Sequence, residues 1–239
     1  FYQQTIRFVK MFLYFITSIG SVMLPRIANI HKKGDKEMIN TYISATFRLA
    51  LYLAIPMMFG MMSVAPFFIP WFMAKEFSIV GTLIMMTSPI ILFISISNVF
   101  GIQYLLPTGM MSKYSGSIVL GAIVNFIMNV ILIPIYGALG ACIAIVSAEF
   151  AVVFTQWMFV RKSLVLKVKI RSIMIYFSAG IIMALSVFYI GYLRGPDILT
   201  NLIQVVFGVI VYMGFITLTK EEFHMLIFSK IKALLVRGH

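Results

Sequence analysis

Glu149 stands near the middle of an apolar stretch, 138–160, and is the one acidic residue so deep in such a block. A charge at the centre of a membrane helix costs about 2.5–3.5 kcal/mol on insertion scales, so the position calls for a reason. The chemical reading is a proton- or cation-linked site, or a contact to a polar substrate. The structural reading is a protonated carboxyl bonded to a neighbouring helix, since desolvation favours the neutral form. Gln156 follows two helical turns later on the same face and would extend a polar strip for ion coupling. In the preceding block Gly121, Asn125 and Asn129 repeat every four residues. They share a face that cannot look favourably at lipid, and small and amide residues of this kind also serve as helix–helix glue. Asn98 and Gln103 add two further interior amides, downstream of Pro89.

Arg7 and Lys10 are cations at the start of the first apolar block. They read either as headgroup-snorkelling residues or as a patch bordering a central cavity, able to hold a pyrophosphate-bearing anion through charge-assisted contacts. Enzymatic constellations do not emerge. The three histidines stand apart at 31, 224 and 239, which is no metal-ligand spacing, and no phosphate-binding loop, nucleophile elbow or dinucleotide fingerprint is present. No cofactor is expected. Cys142 is the single cysteine, so no disulfide framework is available.

The elements that must carry these residues are membrane helices. Apolar residues make up 62% of the 239 positions and charged residues only 11%, with a mean hydropathy of +1.04. Soluble domains carry about 25% charged residues. A bilayer core about 30 Å thick is crossed by roughly 20 apolar residues in a helix. Blocks of that length predict about seven spans, near 8–30, 46–72, 78–106, 116–135, 138–160, 172–193 and 198–219. Charged or Gly/Pro-containing breaks separate them: His31 to Glu37, Lys75-Glu76, Pro107-Thr108-Gly109, Pro134 to Gly137, Arg161 to Arg171, and Gly195-Pro196-Asp197. Pro56 and Pro89 predict bends. Strand-like alternation is missing, which excludes a transmembrane barrel. The predicted fold is an all-α polytopic bundle. It divides into spans within 1–160, two more within 161–219, and a basic amphipathic tail over 220–239, with Phe223, Leu226, Ile227, Ile231, Leu234 and Leu235 at helical spacing.

Charge sets an expected orientation. With alternating spans, all but four of the 19 lysines and arginines fall on one side. The exceptions are Arg7, Lys10, Lys75 and Arg194. The positive-inside rule assigns the rich side, and with it the C-terminus, to the cytoplasm. Net charge of +12 therefore reflects topology, and basic residues scattered over separate loops exclude a nucleic-acid partner. An odd span count and a first residue that is not Met lead us to expect part of a longer protein.

The stretch Asn125-Phe126-Ile127-Met128-Asn129 through Pro134-Ile135-Tyr136-Gly137-Ala138-Leu139-Gly140-Ala141 resembles the helix–turn–helix of bacterial polysaccharide repeat-unit flippases of the O-antigen and capsule type. These belong to the superfamily of multidrug, oligosaccharidyl-lipid and polysaccharide exporters, which also includes the lipid II flippase. Val22-Met23-Leu24-Pro25-Arg26-Ile27-Ala28 and Gln103-Tyr104-Leu105-Leu106-Pro107-Thr108-Gly109 resemble the ends of that family's eighth and tenth helices. The resemblance runs through about residue 160. It implies the C-terminal half of a two-lobe, V-shaped transporter, starting at helix eight. By that resemblance the chain is a flippase for undecaprenyl-pyrophosphate-linked oligosaccharide, working by alternating access in the bacterial cytoplasmic membrane without catalysing a reaction. Substrate-binding residues would be Arg7, Lys10, Asn98, Gln103, Asn125 and Asn129, with Glu149 and Gln156 coupling an ion. Expected partners are the lipid-linked oligosaccharide, the bilayer, and polysaccharide polymerase and chain-length proteins. The alternative is a cation-coupled multidrug exporter of the same superfamily.

Overall fold

The computed structural model describes residues 2–73, 75–226, 228 and 229. The side chains of residues 15, 16, 18–22 and 75 are outside that description, as is the expected tail beyond 229. The described chain is a bundle of helices: α1 (Tyr2–Lys32), α2 (Lys36–Phe72), α3 (Ser78–Thr87), α4 (Pro89–Ser97), α5 (Met111–Tyr136), α6 (Ala138–Val160), α7 (Ile170–Arg194) and α8 (Ile198–Leu218). Helices are the form these sequences must take, because hydrocarbon offers backbone groups no partner and a helix satisfies them within itself.

Six helical segments are long and apolar enough to cross a membrane: α2, the 28-residue run Ser78–Leu105 that joins α3 and α4, α5, α6, α7 and α8. The first expected span is helix α1, 31 residues long, or about 46 Å at 1.5 Å per residue. The remaining expected spans coincide with these helices to within a few residues at most ends, and α2 and α5 begin earlier than expected. Within α2, Pro56, Pro66 and Pro70 are all accommodated.

Helix α2 is the axis of the bundle. It packs against α1, α3, α4, α7 and α8, and its buried residues, including Ile43, Phe47, Ala54, Ile55 and Ile69, run along its length. Two turns fix its start. Gly34 takes a left-handed φ of +74°, and the Asp35 carboxylate accepts the Met38 N–H at 2.9 Å as an N-cap. Helices α5 and α6 form a tight hairpin through Gly137, at φ +55°. Its closeness comes from Gly140, where a β-carbon would lie 2.3 Å from the Leu132 carbonyl oxygen. Outside this pairing α5 touches little, and Phe126, Ile127, Val130 and Ile131 are exposed.

Helices α7 and α8 form a second hairpin on the other flank of α2. Buried amides pin it: the Trp71 indole donates to Asn201 Oδ1, Asn201 Nδ2 donates to Gln204 Oε1 at 2.7 Å, and Gln204 Nε2 donates to the Val187 carbonyl at 2.9 Å. The connecting segment 161–169 runs back along α2. Val165 N donates to Asn40 Oδ1 at 3.3 Å, Lys167 N to Ser44 Oγ at 2.8 Å, and the Arg48 guanidinium to the Lys167 carbonyl.

Candidate functional site

Between α1, α4, α5 and α6 lies a cleft of about 610 Å³. Each wall is set by local sequence. Pro89 begins α4 at its first helical position, where a missing N–H is harmless. Thr87 and Ser88 hydroxyls donate back to the Leu83 and Ile84 carbonyls, each at 2.7 Å, which closes α3 and redirects the chain. Beyond Ser97 the helix widens into a π-helical segment, Asn98–Leu105. Segments of this kind recur at functional sites. Gly121 on α5 gives the floor its depth, since a β-carbon there would meet Val152 Cγ2 at 2.3 Å.

Asn98, Asn125 and Glu149 meet at this cleft, with Thr17, Ser97 and Tyr114 as further polar neighbours and Ile94, Ile102, Ile118, Ala122, Ile145, Ala148 and Val152 as the apolar remainder. Among the described lining residues, the group able to carry charge at neutral pH is the Glu149 carboxyl. Asn129 stands one turn below and donates through Nδ2 to Asn125 Oδ1 at 2.9 Å, so its amide orients that of Asn125. Gln103 is buried behind the wall, where Nε2 donates to Asn98 Oδ1 at 3.0 Å and Oε1 has no partner. That bond spans five residues, one closure of a π-helical turn. In an α-helix positions five apart face different ways. The π segment is therefore what couples Gln103 to the cleft.

Gln156 is fully buried and lies outside the cleft lining. Its Nε2 donates to Ser117 Oγ at 3.2 Å, joining α6 to α5. Arg7 and Lys10 are on exposed faces of α1 and do not line the cleft. The sequence does not single out Ser97, Tyr114 and Thr17, because a lone hydroxyl within an apolar helix recurs too often to pick them out. The His/Cys/Asp/Glu residues form no metal-holding cluster among the described residues.

The described residues thus form an all-helical bundle with six segments able to cross a membrane and a cleft of amides and one carboxyl. The chain belongs to the lipid II flippase MurJ family, whose description matches residues 9–213. Two curated relatives are similar in sequence. The "Probable low-salt glycan biosynthesis flippase Agl15" of Haloferax volcanii is 25% identical over 153 residues, 63% of this chain and 32% of that protein. The "Uncharacterized membrane protein MJ1068" of Methanocaldococcus jannaschii is 24% identical over 207 residues, 86% of this chain and 40% of that protein. The fold matches a solved "Lipid II flippase MurJ, inward closed conformation", with a TM-score of 0.78 and 18% identity, covering 91% of this chain and 46% of the other. The chain thus spans less than half the length of each of these proteins. The wider superfamily expected from the Asn125–Ala141 motif is the one found, and within it the match is to the lipid II flippase family.

Proposed function

We propose that this chain is the C-terminal lobe of a flippase that moves a lipid-linked oligosaccharide across the cell membrane by alternating access. The observation that carries the reading is the family match over residues 9–213, together with a cleft in which Asn98, Asn125 and Glu149 converge. The substrate we infer is an undecaprenyl-pyrophosphate-linked repeat unit for capsule or O-antigen, in a bacterial cytoplasmic membrane, with polymerase and chain-length proteins acting downstream. Residues 1–160 would form the lobe, 161–219 an added pair of spans, and 220–239 a cytoplasmic tail.

The cleft's acidic character divides the labour. Glu149, which lines the cleft together with Asn125 and Asn98, suits a coupling cation. A pyrophosphate needs cations, and Arg7 and Lys10 on the exposed face of α1 would supply them where the two lobes border a central cavity. The sugar head would pass there while the prenyl tail stays in lipid, and no bond is made or broken. The same acidic cleft supports the second reading, a cation-coupled multidrug exporter.

The test is surface-sugar display in a strain deleted for the full-length gene and complemented with wild type, Arg7→Ala or Lys10→Ala. Loss of display on deletion, restored by wild type and reduced by each variant, supports the flippase. Unchanged display on deletion overturns it, and heightened drug susceptibility in the same strain selects the exporter. Modification of Lys162→Cys by an impermeant thiol reagent only from the cytoplasmic side checks the orientation.

A further inference from the structure

Just past α8 the chain reverses through Lys220, which adopts a left-handed φ of +49°. Residues 222–226 return as helix and fold against the bundle. Two ionisable residues go inside with them: Glu221 is 3% exposed and His224 7% exposed. Glu221 Oε2 accepts the His224 N–H at 2.8 Å and so caps the returning segment. Phe223 packs on the core beside Tyr52.

Both ring nitrogens of His224 are engaged, Nδ1 with the Tyr52 hydroxyl and Nε2 with the Thr217 hydroxyl, each at 2.9 Å. Proton counting fixes the roles. Thr217 spends its one proton on the Met213 carbonyl at 2.7 Å, so toward His224 it accepts and Nε2 carries hydrogen. Nδ1 is then free to accept the Tyr52 hydroxyl proton. Every group is satisfied with a neutral ring. A second proton on Nδ1 would force the Tyr52 proton onto its other neighbour, the Met213 sulfur at 3.2 Å, a weak acceptor.

We propose that His224, Tyr52 and Thr217 form a proton-responsive latch that holds the segment after α8 against α2 and α8 when the imidazole is neutral. This goes beyond the flippase reading and does not depend on it. The docked geometry has a place for one ring proton, on Nε2, and none for a second on Nδ1, so docking and a second proton oppose each other. Next to the cluster, Tyr212 from α8 donates to the Tyr52 carbonyl, Tyr176 from α7 interacts with Glu221, Arg48 and Tyr52, and the exposed Glu222 interacts with Lys169, Arg48 and Arg171. Lys169 holds the exposed Glu222 carboxyl below its usual range, so that ion pair stands independently of His224.

The test is backbone hydrogen exchange of the full chain in lipid nanodiscs, at about pH 8 and about pH 5.5, corrected for intrinsic rates. Protection over 222–226 is expected to fall at least about tenfold at the lower pH while α7 and α8 hold theirs. In His224→Gln, whose amide supplies one donor and one acceptor without titrating, the fall should vanish. In Glu221→Gln, which keeps the imidazole, it should persist. Constant wild-type protection, a fall retained in His224→Gln, or one abolished in Glu221→Gln overturns the latch. If His224→Gln fails to dock at the higher pH, the Glu221→Gln result decides alone.

Discussion

Glu149 and Gln156 lie two turns apart on α6 and do different things. Glu149 faces the cleft, while Gln156 is buried with Nε2 on Ser117 and Oε1 unpartnered. A half-satisfied buried amide adds little to stability, because an orphan acceptor offsets the bond that is made. Gln156→Leu is therefore expected to leave the stability of the full-length protein within about 1 kcal/mol of wild type, measured by thermal unfolding in detergent. Glu149→Gln removes the carboxyl without changing its shape and should cut cation-dependent flipping in proteoliposomes about tenfold or more, equivalent to about 1.4 kcal/mol. Full activity with unchanged cation dependence would remove Glu149 from the coupling role. The sequence made Asn125, Asn129 and Glu149 legible because α-helical spacing alone sorts them onto faces. It could not join Gln103 to Asn98, since five-residue spacing aligns two side chains only in the π-helical Asn98–Leu105. Nor could it find Asn201 and Gln204, whose burial depends on where α8 lands relative to Trp71.

Among the elements, the α5–α6 hairpin rests on backbone approach more than on side chains. At Gly140 a β-carbon would stand 2.3 and 2.5 Å from the oxygen and carbon of the Leu132 carbonyl. Backbone cannot swing aside as a side-chain tip can, so Gly140→Val should cost about 3 kcal/mol and open the hairpin. It would show as a lower unfolding midpoint and new thiol reactivity at buried Cys142. Gly116, on α5 of the same hairpin, has nothing within 4 Å of that position, and Gly116→Ala should stabilise by about 0.5–1 kcal/mol through helix propensity. Equal effects at the two glycines would contradict this account. Span positions were readable from hydropathy because long apolar runs have few other uses. Helix α5 shows the limit of that signal: hydropathy made it a span, yet nothing in its pattern announced that it would pack on α6 and little else.

For the whole molecule, the segment 161–169 is the strap that ties the α7–α8 pair to the central helix. Asn40 and Ser44 hold it through two backbone N–H groups, Val165 and Lys167. Each such bond is worth about 1 kcal/mol net, so Asn40→Ala with Ser44→Ala should speed tryptic cleavage at Lys162, Lys167 and Lys169 severalfold in the detergent-solubilised protein. An unchanged rate would mean the strap is held elsewhere. These anchors have a consequence for biogenesis. They join residues more than 120 positions apart, so α2 must leave the ribosome and wait, its flank unpaired, until α3 to α6 have been made. The α5–α6 hairpin closes locally through Gly137 in the meantime and asks nothing of α2. Local closures form early and distant ones late, so the axis of this bundle should be the last of its parts to be fully enclosed in the nascent chain.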